Sequence, residues 1–272
     1  MRSFTGVVCL FLLALTSAAL LHASLIPTVH LDEDTVKTYQ SYVDVFEKSV
    51  VDQFNKTGRM WIDSENNGKR NAFEASKPVV EPRRNEDIAH GSIHHFSGAI
   101  HINNATIESV RHVMEDYPHY VQIFKPDLGA ASGTKEADST PEDEHFLSKL
   151  LLVQSTIWMS VTYDTIYDTH YRRVAKDRWT TRSVALSIKE WKDPKNQTAG
   201  TMPEGDDHGF LWKTNTYWFA RKRNGGLDLQ ADSIALSRTN PVGFAWWGTR
   251  RSRDAVDKML RDVQNAIEAN RK

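Results

Sequence analysis

The sharpest constraint on this chain lies near its end. Residues Gly209 to Arg223 and Leu227 to Arg238 are two long runs of strand-forming side chains joined by Asn224-Gly225-Gly226. Asn and Gly accept the positive φ that tight hairpin turns demand, so the two runs are predicted to pair antiparallel. After them, Ser252 to Ala269 puts Val256, Met259, Leu260, Val263, Ala266 and Ile267 on one helical face, a broad apolar stripe that must cover another surface. Upstream, His145 to Ile157, Met159 to Tyr171 and Arg178 to Trp191 read as further strands. This order favours an α+β fold in which a curved antiparallel sheet wraps around a long C-terminal helix. Such wrapping tends to leave space between sheet and helix.

The first half of the chain is less regular. Val36, Tyr39, Val43, Phe46, Val50 and Phe54 recur at helical spacing, with Asp32 to Asp34 favouring the N-terminal end and Gly58 after the other. A short strand is expected at Arg59 to Asp63. Ser64 to Arg84 is polar, contains Asn67-Gly68 and two prolines, and reads as a linker or a surface excursion. Gly91 to Asn103 reads as a strand, and Asn104 and Thr106 offer caps for a helix from Ile107 to Asp116 that Tyr117-Pro118 stops. Gly129 to Asp143 has no periodicity and reads as a loop. The expected organisation is a leader over 1–23, an N-terminal helix with an irregular extension over 30–85, and a sheet-and-helix domain over 90–270.

The leader is read from Arg2, the apolar run Val7 to Leu15 and the small residues at Ser17-Ala18-Ala19 and Leu21-His22-Ala23. It predicts an exported protein, periplasmic or extracellular. The run from Val7 to Leu21 is interrupted by Thr16 and Ser17 and is short for a spanning helix. Cys9, the one cysteine, lies inside it, so the processed chain would have no disulfide, thiolate-bound metal or thiol nucleophile. With 34 basic against 35 acidic side chains, the charge balance does not favour a nucleic-acid partner.

Two segments carry a family resemblance. Gly91-Ser-Ile-His-His-Phe-Ser-Gly-Ala-Ile, running on to Ala105-Thr-Ile-Glu-Ser-Val and Glu115-Asp-Tyr-Pro-His-Tyr, resembles the first strand and small helices of the START-like, polyketide-cyclase-like (helix-grip, SRPBCC) superfamily. Asp207-His-Gly-Phe-Leu-Trp-Lys-Thr-Asn-Thr-Tyr-Trp and the hairpin to Ser237-Arg238 are similar to the paired late strands of uncharacterised exported bacterial members. The resemblance covers about Gly91 to Ala269, and the helix at Asp34 to Phe54 lies outside it. It implies a cavity that takes up an apolar small molecule such as a lipid, an isoprenoid or an aromatic compound. Burying roughly 300 Å² of apolar ligand at ~25 cal/mol/Å² would give about 7 kcal/mol before association costs.

Candidate ligand-binding residues come from polarity and position. His94 and His95 are adjacent in a strand and point to opposite faces, so only one can meet the cavity. No His-Glu-x-x-His or similar spacing is present, and neither a metal nor a cofactor is expected. Asn215, Tyr217 and Arg238 are candidate polar anchors, with Trp212 and Trp218 as apolar wall; pairing of Arg238 with Asp232 or Asp207 is the alternative. Phe244, Trp246 and Trp247 offer a transient membrane contact or, more simply, a plug beneath the terminal helix. A non-enzymatic binder or carrier leads. The alternatives are a cyclase- or hydrolase-like enzyme using His94, His95, Tyr167 or His170 as acid or base, and a protein-interaction module presenting the N-terminal helix. Oligomeric state is not legible.

Overall fold

The computed structural model describes residues 26–155, 160–223, 225–239 and 245–270, and the side chains of all of these except 245–251. The expected leader, Asn224 of the hairpin and Phe244 lie outside the described residues, as do the side chains of Trp246 and Trp247.

Strand β1 (Val29–His30) precedes helix α1 (Glu33–Phe46). The helix starts where the Asp32 carboxylate accepts the Thr35 N–H at 2.8 Å, satisfying one of the free first-turn donors. It runs through a π-turn over Glu47–Val51 into α2 (Asp52–Thr57). A 3₁₀ turn at Trp61–Ser64 takes the place of the expected short strand, and α3 (Asn67–Glu74) comes after it. Tyr39, Val43, Phe46, Phe54, Trp61, Ile62 and Phe73 join Ile93, Ala99, Tyr217, Phe219, Ile234 and Leu236 in one buried cluster. The N-terminal helices thus form a layer over the sheet, and the apolar side of α1 is spent inside the molecule.

The sheet begins with β2 (Val79–Ile88) and β3 (Gly91–Asn103). Helix α4 (Ile107–Glu115), a 3₁₀ turn at Tyr117–His119 and α5 (Tyr120–Ile123) come next. Strands β4 (Leu128–Lys135), β5 (Asp143–Ser155), β6 (Ser160–Ala175) and β7 (Arg178–Glu190) lead to a short β8 (Asp206–Asp207). The late hairpin is β9 (Lys213–Arg223) and β10 (Gly226–Ser237), before the terminal helix α6 (Ala245–Ala269). Eight strands pair antiparallel in the order β2-β3-β10-β9-β7-β6-β5-β4, and β1 pairs with β8 apart from them.

Both strands of the eight-stranded sheet that the sequence pattern conceals are its edges. β2 carries Pro82, with a register shift between Pro82 and Arg84, and edges are where a sheet tolerates a residue without an N–H. The main sheet therefore starts near Val79. In β4, Gly133 has no side chain because the Tyr117 ring occupies the space where one would stand.

Helix α6 lies on the inner face. Val256, Leu260, Val263 and Ile267 pack with Phe96, Ile100, Leu229 and Trp218, and Val110, Val113 and Met114 of α4 join the same cluster. At Gly98 a Cβ would come within 2.6 Å of the Val256 methyl and 2.7 Å of a Leu260 methyl, so the absence of a side chain lets the helix sit down. β3 is consequently buried from Gly91 to Ile102 on both faces.

Polar groups beneath the outer layer are paired. The His95 ring meets the Tyr42 hydroxyl at 2.6 Å and Asp232 at 3.0 Å, while Gln230 donates to Asp232 at 2.6 Å. His101 and Arg221 both reach the fully buried Asp228, at 2.9 and 2.7 Å. Arg221 ties this pair to Asp63 of the outer layer at 2.9 and 3.0 Å.

Deleting residues 30–64 would bare Tyr217, Phe219, Ile234 and the Asp228 and Asp232 pairs. The truncated chain is expected to lose its cooperative thermal transition and aggregate, as read by calorimetry and light scattering. A soluble truncation that melts like the whole chain would show that the outer layer is dispensable. A second expectation concerns pH. Burial, aided by the nearby Glu190, pushes the Asp207 carboxyl up to about 6 although Gly209 N–H and Trp212 Nε1–H donate to it. The folded state then holds this proton more tightly than the unfolded chain, whose carboxyl titrates near 3.8. Its stabilisation is present below that value and is lost as pH rises to about 6. Asp207→Asn keeps both bonds on Oδ1, and its urea midpoint should vary less than the parent's over this window.

Candidate functional site

A cavity of about 400 Å³ lies between the inner face of the sheet and α6. Its two sides differ in chemistry. Met114, Tyr120, Phe124, Leu150, Leu152 and Met259 form an apolar wall from α4, α5, β5 and α6. The sheet floor is rich in hydroxyls: Ser148 of β5, Thr169 of β6, Thr181 and Ser183 of β7, Thr214 and Thr216 of β9, and Ser233 and Ser237 of β10. Strand alternation produces this floor, because every second residue of each strand faces inward. At the rim, Lys258 bridges Asp127 at 3.2 Å and Asp262 at 2.5 Å.

Two polar groups organise the interior. The Tyr117 and Tyr171 hydroxyls are 2.8 Å apart, and Tyr171 donates to the Met114 carbonyl at 2.7 Å. Burial raises both phenols, so they stay protonated. The second group is a relay of side chains at the other end of the cavity. His94 Nε2 is 3.0 Å from Ser237 Oγ, and His94 Nδ1 is 2.5 Å from Asn85 Oδ1. Asn85 Oδ1 can only accept, so Nδ1 carries the hydrogen and Nε2 offers its lone pair toward Ser237. Ser237 Oγ also donates to the Arg238 carbonyl at 3.0 Å, so its single hydrogen has two acceptors in reach, that carbonyl and His94 Nε2. Burial lowers the His94 pKa, with Asp87 opposing weakly, and the ring is neutral at neutral pH.

The predicted site residues divide between the two faces. His94 and Trp218 line the cavity. His95 does not, in keeping with the expectation that only one of the adjacent histidines can meet the cavity; Asn215, Tyr217, Trp212 and Arg238 do not either, which corrects their expected place as polar anchors and apolar wall. His95 is on the outer face with Asp232. Asn215 accepts from Tyr39 and donates to Tyr217, which in turn donates to Glu47 of the outer layer at 2.6 Å. Alternation puts these residues opposite Thr214, Thr216 and Trp218. Trp212 precedes β9, and its indole donates to Asp207 at 3.1 Å within the outer cluster. Arg238 donates to the Pro27 carbonyl at 2.9 Å, fastening the segment before β1 rather than pairing with Asp232 or Asp207. Of the candidate acids and bases, His94 and Tyr167 face the cavity, whereas His170 is on the outer side with Asp143 and Asp168.

Asn85, in the segment that reads as a linker, and most of the hydroxyl floor are not evident from the sequence. One signal is present there: Tyr163, Thr165, Tyr167, Thr169 and Tyr171 alternate along β6. A second hollow of about 430 Å³, between His30, Val36 and Trp212, is rimmed by the charged side chains of Glu33, Lys37, Glu204 and Lys213. It has no comparable floor of hydroxyls.

No protein-family model matches this chain, and no curated protein matches it. Solved structures with a similar layout include a STAR-related lipid transfer protein from Xanthomonas axonopodis, 15% identical with a TM-score of 0.46, covering 70% of this chain and 98% of that one. Human STARD10 gives 9% identity and a TM-score of 0.46, over 75% of this chain and 80% of its own. The Zhui aromatase/cyclase from Streptomyces gives 11% and 0.41, over 66% and 96%. At these values the likeness carries no argument about function, which has to be read from the cavity's own residues.

NMR of the imidazole nitrogens should find His94 as the Nδ1–H tautomer at neutral pH, titrating below the ordinary 6.5. A midpoint above that value would contradict the Asn85–His94–Ser237 relay.

Proposed function

We propose that the chain binds and carries a small amphipathic molecule in the cavity between the sheet and α6, outside the cytoplasm. The observation that carries this reading is the pairing of an apolar wall with a floor of Ser and Thr hydroxyls across a space of about 400 Å³. That volume is in the range of small-molecule sites, where apolar contact supplies affinity and a few polar groups fix orientation. A purely hydrocarbon ligand would leave the floor hydroxyls without ligand partners. A lipid, isoprenoid or aromatic compound bearing hydroxyl or carbonyl groups fits better, because it can bond floor hydroxyls whose capacity is not already used by the Thr169–Ser183, Trp218–Thr181 and His94–Ser237 contacts. The apolar run at Val7 to Leu15 supports export.

Native mass spectrometry of protein purified from its host should detect a co-purifying mass of lipid or polyketide size. A fluorescent fatty-acid analogue should enter with micromolar affinity, and Thr216→Trp and Ala235→Phe, which fill the cavity, should each weaken uptake at least tenfold. An empty protein that takes up no amphipathic probe would overturn the reading.

One observation favours a second reading, a cyclase- or hydrolase-like enzyme. A hydroxyl beside a neutral imidazole that is oriented by a third side chain is the arrangement that activates a serine, and Ser237, His94 and Asn85 have it at the cavity wall. Ser237→Ala and His94→Gln should then abolish turnover of an ester or polyketide substrate while changing probe affinity less than threefold. Unchanged turnover in both variants would leave binding alone.

A further inference from the structure

We propose that His145, Asp168 and His170 form a site for a zinc-class divalent cation on the outer face of β5 and β6. Sequence spacing gives no hint of it, because the ligands come from two strands. Antiparallel pairing sets His145 opposite His170, and Asp168 is two residues from His170 on the same face. The two rings stack with centroids 4.4 Å apart and an interplanar angle of 8°, which turns both Nε2 atoms toward the same carboxylate. One donor atom from each residue lies within 4.8 Å of the others.

The hydrogen bonds on the far side of each ring decide the chemistry. His145 Nδ1 is 2.7 Å from Asp138, and His170 Nδ1 is 3.0 Å from Asp143. Arg172 in turn holds Asp143 at 2.6 and 3.0 Å. A carboxylate on Nδ1–H fixes the tautomer that leaves the Nε2 lone pair free, the usual support of a metal-binding histidine. The Nε2 atoms then stand 3.6 and 3.5 Å from the oxygens of Asp168. These separations are long for hydrogen bonds. They are close to the edge, about 3.3 Å, of a tetrahedron with metal–ligand bonds of about 2.0–2.1 Å.

His145 Nε2 and Asp168 Oδ1 are buried without a hydrogen-bond partner. The two Nε2 atoms and the Asp168 carboxylate thus border one space, and a cation there would supply the missing contacts once the stacked rings tilt from parallel to aim their lone pairs at it. Two imidazoles and a carboxylate suit Zn²⁺ or Co²⁺, with a fourth position left to water. The site is across the sheet from Tyr167 and Thr169 and does not depend on what the cavity binds.

Equilibrium dialysis of the untagged full chain against Zn²⁺, and absorption spectroscopy with Co²⁺, test this directly. One ion per chain is expected, with the visible d–d bands of four-coordinate Co²⁺. Asp168→Asn and His145→Gln should each weaken binding at least tenfold, and Asp143→Asn, which loosens the His170 ring, by roughly 10–100-fold. Circular dichroism confirms folding of each variant, and His170→Gln replaces any that fails. Absence of bound zinc at micromolar free metal, or unchanged affinity in the ligand variants, would overturn the proposal.

Discussion

The pairing of β3 with β10, continuous from Ser92–Ser237 to Asn103–Gly226, is the element on which the rest of the molecule depends. Both strands lie inside the sheet with little exposed on either face, so the sheet needs two covers. Helix α6 supplies one through the shallow seat at Gly98. The N-terminal helices supply the other, and they do so over a mixed surface: apolar Ile93, Tyr217 and Phe219 beside the carboxylates of Asp228 and Asp232. Charges buried there are tolerable because each has a partner in reach. Arg221 connects Asp228 to Asp63, and the Tyr42 hydroxyl completes the His95–Asp232 pair. The outer layer is therefore part of the fold's electrostatics as well as its apolar core.

This double cover explains which features are legible in the sequence. The late hairpin and the terminal helix arise from turn chemistry and from a 3.6-residue apolar repeat, which are local properties. The strand Gly91 to Asn103 is also readable from its composition. β2 and β4 are not, because an edge strand needs only one paired side and tolerates Pro82 or the small residues around Gly133.

The candidate site is legible by half. Alternation in β9 separates Trp218 from Asn215 and Tyr217 correctly, but parity alone does not say which face meets the cavity when both are aromatic and both are covered. The answer depends on Tyr39 and Glu47, more than 160 residues away in sequence, which claim Asn215 and Tyr217. The same holds for the histidine pair, where Asp232 claims His95 and Asn85 claims His94. Long-range partners of this kind leave no periodic trace.

Strand β6 carries chemistry on both sides of one ribbon. Tyr167 and Thr169 face the cavity, while Asp168 and His170 face outward with His145. Residues one step apart thus belong to separate compartments, yet they share a single hydrogen-bond ladder with β5 and β7. An insertion or deletion of one residue within this stretch would exchange the contents of the two faces, placing a carboxylate and an imidazole in the cavity and phenol and hydroxyl groups outside. The ladder therefore couples the two faces in evolution: point substitutions can tune either one alone, but a change of length disrupts both at once.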